Sequence, residues 1–136
     1  MQRFDVAILG GGPAGLALAA ALSGSGLSVA VVERQLAEAL EQAPFDGREI
    51  ALTHHSREIL ARLGAWSLFP AEEVSPMREA RVLNGASPYA LRFDARGRDA
   101  TDLGWLVPNH RIRRALFQVA TAGPHVTLIA GTGAAG

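Results

Sequence analysis

Up to Glu33 the chain alternates between apolar runs and one glycine-rich interruption. Phe4–Leu9 is an apolar run broken by a single acid, Asp5, and is followed by Gly10-Gly11-Gly12-Pro13-Ala14-Gly15. Leu27–Val32 forms a second apolar run, which ends on Glu33. Short apolar runs bounded by turn residues predict buried strands. The Ala/Leu stretch between them predicts a helix from about Ala14 to Ser23, closed by Gly24 and Gly26. Leu16, Leu18 and Leu22 lie among alanines, so this helix is apolar nearly all round and suits a position covered on several sides.

Beyond Glu33 the pattern is more broken. Gln35–Gln42 predicts a short helix, and Pro44–Gly47 a loop leading into Arg48-Glu49-Ile50-Ala51-Leu52. A helix over about His55–Leu63 takes Thr53 as N-cap and Gly64 as its stop, with Ile59, Leu60 and Leu63 on one face. Ala80–Leu83 and Tyr89–Phe93 read as two strands, the second alternating apolar and polar positions. Asn84-Gly85-Ala86-Ser87-Pro88 between them predicts a hairpin. Asp94–Asp102 is a polar loop, and Trp105-Leu106-Val107 is a short strand ending at Pro108. Asn109 is expected to cap a third helix, whose Ile112, Leu116 and Ala120 recur every four residues before Gly123-Pro124 stops it. Val126–Ala130 is a last apolar strand, and residues 131–136 show no pattern.

Composition narrows the function classes. The chain has 136 residues, 49% of them hydrophobic, which suits one soluble α/β domain. Basic and acidic residues balance at 13 each, against the basic excess expected of a nucleic-acid binder. Every basic residue is arginine, which excludes Schiff-base chemistry, and the lack of cysteine excludes disulfides and thiolate sites. His54, His55, His110 and His125 have no metal-ligand spacing, so no metal is expected. Val6–Ser23 carries no charge and ends near small residues, yet Asp5 and the glycine-proline interruption argue against a signal peptide or a membrane span. The expected location is cytoplasmic. Arg111, Arg113 and Arg114 are expected on a solvated helix face, and Trp66, Phe69 and Trp105 in the core.

The chemistry concentrates in the first turn. Strand, Gly-x-Gly-x-x-Gly, helix, strand and acidic residue occur here in the order of a dinucleotide-binding fingerprint. Gly10 permits the tight turn, Gly12 lets the backbone approach a pyrophosphate, and Gly15 allows close packing of helix on sheet. Gly11, Pro13 and Ala14 complete the loop that offers the helix N-terminus to phosphate. Glu33 stands where a carboxylate accepts hydrogen bonds from ribose hydroxyls. The long excursion from Arg34 to His125 before the next strand suited to a parallel sheet favours FAD over NAD, because flavin-binding folds commonly carry such an interruption.

Four stretches resemble the FAD-dependent aromatic hydroxylases of ubiquinone biosynthesis, within the para-hydroxybenzoate-hydroxylase-like class. They are residues 5–16, Val32-Glu33-Arg34, Phe45-Asp46-Gly47-Arg48-Glu49-Ile50-Ala51-Leu52, and residues 103–109 with Ile112 and Leu116. The third is the most specific, and Leu63-Gly64-Ala65-Trp66 resembles a further family segment.

The resemblance implies a Rossmann-like α/β FAD-binding domain with a parallel sheet and an inserted hairpin and helices. It implies that residues 1–136 are the N-terminal part of that domain, with the rest of it and the substrate domain lying elsewhere. Val6–Leu9 would then be an open sheet edge. Gly10, Gly12 and Gly15 would hold the pyrophosphate, Glu33 the ribose, and Arg34 would flank the adenine half. Arg48 would approach phosphate or ribityl oxygens, and Asn109 would take a cofactor position where many relatives carry Gln or Arg. The implied reaction is hydroxylation of a phenolic, prenylated ring with NAD(P)H and oxygen. Such substrates imply a setting at the inner face of the cytoplasmic membrane and association with other ubiquinone-pathway proteins. An FAD-dependent reductase or dehydrogenase, or a stand-alone nucleotide-binding module, remains the alternative.

Overall fold

The computed structural model describes residues 2–95 and 101–133. Three parallel strands form the first sheet: β1 (Val6–Leu9), β2 (Val29–Glu33) and β8 (Val126–Ala130), in the order β1-β2-β8. Val6 pairs with Val29 and Leu9 with Val32; Val29 pairs in turn with Val126. β2 is therefore the central strand, and its Val29, Ala30 and Val31 are buried. That placement explains its unbroken apolar run, since a central parallel strand is covered on both faces. β1 is the edge strand, and Leu9 at its end is exposed.

Helix α1 (Pro13–Leu22) connects β1 to β2 and packs on α4 (Asn109–Thr121). The alanines of α1 keep the two helices close. Leu16 and Ala19 of α1 and Ile112, Ala115, Leu116 and Ala120 of α4 join Ile8, Val29 and Val31 in one core. The predicted four-residue recurrence of Ile112, Leu116 and Ala120 is thus the buried face of α4.

Between β2 and α4 the chain makes a long excursion. Short helix α2 (Ala37–Gln42) leads to β3 (Glu49–Leu52) and α3 (His54–Arg62). Thr53 caps α3 as expected, its hydroxyl oxygen accepting from the Ser56 N–H. Two 3-10 turns, at Trp66–Leu68 and Ala71–Glu73, precede β4 (Ser75–Met77). β7 (Gly104–Pro108) is the middle of a second, antiparallel sheet of order β3-β7-β4. Leu52, Leu60, Phe69 and Val107 extend the main core into this sheet. Trp66 and Trp105 are half-buried against it, edge to face, and the Arg57 guanidinium lies 4.7 Å from the Trp105 ring centre. The predicted hairpin is present as β5 (Glu79–Leu83) and β6 (Ala90–Asp94), paired antiparallel.

Two expectations change. Pro108, not Asn109, occupies the N-cap of α4, and Asn109 is the first helical residue, its side chain turned to Asp46 instead of to its own helix. The arginines of α4 do more than face solvent: Arg111 and Arg113 are half-buried, while Arg114 is exposed as expected. Arg111 pairs with Glu73, Arg113 reaches the Gln35 side chain at 3.4 Å, and Arg114 donates to the Gln42 carbonyl. Fork-shaped guanidinium donors suit such cross-links between elements. The centre of the expected loop at 94–102 and the end of the tail, residues 96–100 and 134–136, lie outside the described residues.

Candidate functional site

The site starts from the turn after β1. Gly10 has φ +107, in the region that favours glycine, and its N–H donates to the Val32 carbonyl at 2.8 Å. A Cβ on Gly15 would collide with the Gly10 carbonyl oxygen, so α1 can lie this close to the turn only with glycine there. Gly12 is different. It is the N-cap of α1, and a Cβ there would meet nothing within 4 Å. The space beside its backbone is open.

α1 begins Pro13-Ala14-Gly15, and its first intrahelical bond here runs from the Leu16 N–H to the Gly12 carbonyl. Proline contributes no N–H, and the donors of Ala14 and Gly15 lie in the turn that has no intrahelical acceptor. A helix start of this kind presents N–H groups and a positive dipole end to an anion.

Glu33 closes the far side. Its Oε2 accepts from the Gly11 N–H at 2.6 Å and its Oε1 from the Gln35 N–H at 2.8 Å. These bonds, Gln35's first and Gly11's second, hold its pKa below the usual glutamate value. An ionised carboxylate has about four acceptor sites, so two backbone donors leave capacity for hydroxyl groups.

A cavity of about 350 Å³ opens beside this turn, lined by Gly11, Gly12, Pro13, Glu33, Gln35, Ala39, Leu40, Pro44, Arg48, Asn109 and Arg113. A second, of about 400 Å³, lies on the other side of Glu33 between Leu9, Gly10, Val32, Arg34, Gln35, Thr132 and Gly133. Glu33 thus borders two adjoining spaces. One carries the helix start and two guanidinium groups; the other lies over the ends of β1 and β2.

Arg48 arrives from the loop before β3. Asp46 holds it: the Asp46 Oδ2 accepts from Arg48 Nε at 3.0 Å, from Arg48 Nη2 at 2.6 Å and from Asn109 Nδ2 at 2.7 Å. The Asn109 amide and then the Arg48 guanidinium lower the Asp46 pKa to about 2. The Asn109 N–H also donates to the Arg48 carbonyl at 2.8 Å, fixing the loop to the start of α4. Asn109 is the one buried polar side chain of the described core.

Of the residues singled out in the sequence, Gly11, Gly12, Pro13, Glu33, Arg48 and Asn109 meet around the first cavity, and Gly10, Glu33 and Arg34 around the second. Ala14 and Gly15 line neither; Gly15 serves the packing of α1 on the turn. Gln35, Asp46 and Arg113 belong to the site and were not singled out. Arg113 carried a signal, since four residues after Asn109 places it on the same helix face. No group of three or more His, Asp or Glu side chains among the described residues is arranged to hold a metal.

The residues fit a bound dinucleotide. Open backbone at Gly12, a helix start and two cations suit a diphosphate, and the half-engaged carboxylate suits ribose hydroxyls. Comparison with known proteins identifies the family. Residues 3–135 match the FAD binding domain family. The chain is 49% identical over 132 residues to ubiquinone hydroxylase UbiM of Neisseria meningitidis, covering 94% of this chain and 29% of that protein. It is 34% identical over 133 residues to the 3-demethoxyubiquinol 3-hydroxylase of Escherichia coli, covering 93% and 32%. Among solved structures, P. aeruginosa PqsL in complex with 2-aminobenzoylacetate superposes with a TM-score of 0.70 at 20% identity, over 96% of this chain and 34% of that one. The flavin-dependent halogenase CmlS superposes with a TM-score of 0.70 at 24% identity, over 100% and 24%, a likeness of fold. The chain spans about three tenths of the length of these curated relatives. It belongs to the FAD binding domain family, and is homologous to the hydroxylases of ubiquinone biosynthesis.

Proposed function

We propose that this chain forms the ADP-binding half of the FAD site in a flavin-dependent monooxygenase that hydroxylates a phenolic, prenylated ring in ubiquinone biosynthesis. The observation that carries the reading is the meeting of the Gly12 backbone, the start of α1, Glu33 and Arg48 around one cavity. In this reading Gly11, Gly12, Pro13 and the first N–H groups of α1, with Gly10 and Gly15 shaping the turn, receive the pyrophosphate. Glu33 holds the adenosine ribose, and Arg34 flanks the adenine. Arg48 and Asn109 approach from the loop before β3 and the start of α4. Bound FAD would supply the oxygen chemistry, with NAD(P)H as the electron donor. The chain's own groups bind and orient it.

The names of the relatives support the substrate class, since those proteins are ubiquinone hydroxylases. No helix of the described residues is long and apolar enough to cross a membrane. The bilayer solubility of a prenylated phenol supports a peripheral place at the inner face of the cytoplasmic membrane, and association with other ubiquinone-pathway proteins is part of the same proposal.

Competition binding tests the site. ADP is expected to displace FAD from the purified protein, and FMN, which lacks the adenosine half, is not. Displacement by FMN and not by ADP would overturn the assignment of the two cavities.

A further inference from the structure

We propose that Asp46 is a positioning residue that holds the Arg48 guanidinium in the dinucleotide site, although its own charge has the wrong sign for a neighbour of phosphate. The inference rests on the reading of the site given above.

Arg48 poses a problem for that reading. Its side chain is 66% exposed, and a free arginine at that exposure samples many rotamers that a ligand must freeze out. The structure removes this freedom in two steps. Asp46 Oδ2 takes two N–H groups from one edge of the guanidinium, from Nε and Nη2, while Asp46 Oδ1 accepts the Arg48 backbone N–H at 3.2 Å. Asp46 is itself pinned by Asn109, which is 5% exposed and opens the helix whose Ile112 and Leu116 lie in the core. The tether therefore runs from the core through Asn109 and Asp46 to Arg48. A guanidinium carries five N–H donors; the edge fixed on Asp46 sets the plane of the remaining donors for an anion.

Charge opposes this benefit. A carboxylate near a diphosphate repels it, although solvent and salt screen that repulsion at exposed positions. The two effects predict opposite signs. If repulsion dominates, removing Asp46 tightens binding; if positioning dominates, removing it weakens binding.

The test is a double-mutant cycle on FAD affinity in the purified protein, using Asp46→Ala, Arg48→Ala and the double variant, with ADP as a second ligand. Freezing one long side chain corresponds to about a 3- to 10-fold loss for Asp46→Ala. Arg48→Ala is expected to weaken binding more, and the double variant to match Arg48→Ala alone. Asp46→Asn, which keeps the shape and loses the charge, replaces Asp46→Ala if that variant does not fold, with the same expected direction. Unchanged or tighter binding on loss of Asp46 would overturn the proposal. So would an equal loss in the Arg48→Ala background, because Asp46 would then act independently of Arg48. Unchanged binding by Arg48→Ala itself would instead remove Arg48 from the site, a failure of the earlier reading and a separate result.

Discussion

The parallel sheet with its glycine turn and the β5–β6 hairpin differ in what fixes them. Around the turn, backbone approaches backbone so closely that single atoms decide the geometry, and the strands and helices share one core. The hairpin contributes no residue to that core. Its cross-strand pairs Val82–Leu91 and Ala80–Phe93 lie on one face, where Val82, Leu91 and Phe93 are exposed, and Tyr89 beside them is exposed too. Glu79 and Arg81, which pair with each other, lie on the opposite face with Arg92. A two-stranded ribbon is marginal by itself in water. The first region is held by its own interior; the second has strand pairing but no share in the described core.

Core truncation should separate the two regions most sharply. Leu116 is 2% exposed and sits between α1 and the sheets. Leu116→Ala should cost about 2–5 kcal/mol through lost burial and an incompletely collapsed cavity. A urea unfolding midpoint, compared at constant m-value, measures it. Little change would mean that α4 is less essential to the core than its packing indicates.

The glycines of the turn come next, and they should divide stability from binding. Gly15→Ala forces a methyl into the Gly10 carbonyl and should cost about 1–3 kcal/mol. Gly12 has φ −75 and open space beside it, so Gly12→Ala should shift unfolding by less than about 1 kcal/mol while weakening FAD binding. Equal unfolding midpoints for the two variants would break the distinction between a packing glycine and a ligand-facing one.

The same contrast explains what the sequence disclosed. The strand–glycine turn–helix–strand unit was legible because each residue type there answers a local demand: positive φ at Gly10, contact at Gly15, a carboxylate at the end of β2. The hairpin was legible from alternation and turn residues. The antiparallel sheet β3-β7-β4 was not, because Arg48–Leu52 and Trp105–Pro108 are short and their pairing joins residues far apart in the chain. Asn109 shows the limit at the site. Its type and place before an apolar repeat signal an N-cap, but the side chain answers a long-range partner, Asp46. Likewise nothing local marks Arg111 as the partner of Glu73; only the folded approach of the turn at Ala71–Glu73 brings them together.

Acid titration sharpens the comparison where the excursion is tied to α4. The Asp46 pKa lies near 2 in the folded chain, depressed by Asn109 and Arg48, against about 3.9 for an unfolded aspartate. A depressed folded pKa gives stability that is complete above the unfolded value and is lost as pH falls through the folded one. The tether should therefore weaken between about pH 4 and pH 2. In Asp46→Asn the fall of unfolding free energy across that window should be shallower than in the parent chain. Parallel curves would mean that Asp46 contributes nothing through its charge.

The smallest effect is expected at the hairpin. Leu91 is 47% exposed and faces Val82 across the ribbon, itself 57% exposed. A cross-strand apolar pair contributes about 0.2–1 kcal/mol, and no described core residue touches this face closely enough to add a cavity cost. Leu91→Ser should thus change the unfolding free energy by under about 1 kcal/mol, far below Leu116→Ala. The substitution should also leave FAD affinity unchanged, since neither cavity beside Glu33 includes the hairpin. A loss on the scale of Leu116→Ala would carry a definite meaning. An exposed leucine cannot cost that much unless something buries it in solution, so the apolar face of the ribbon would have to be covered by another surface.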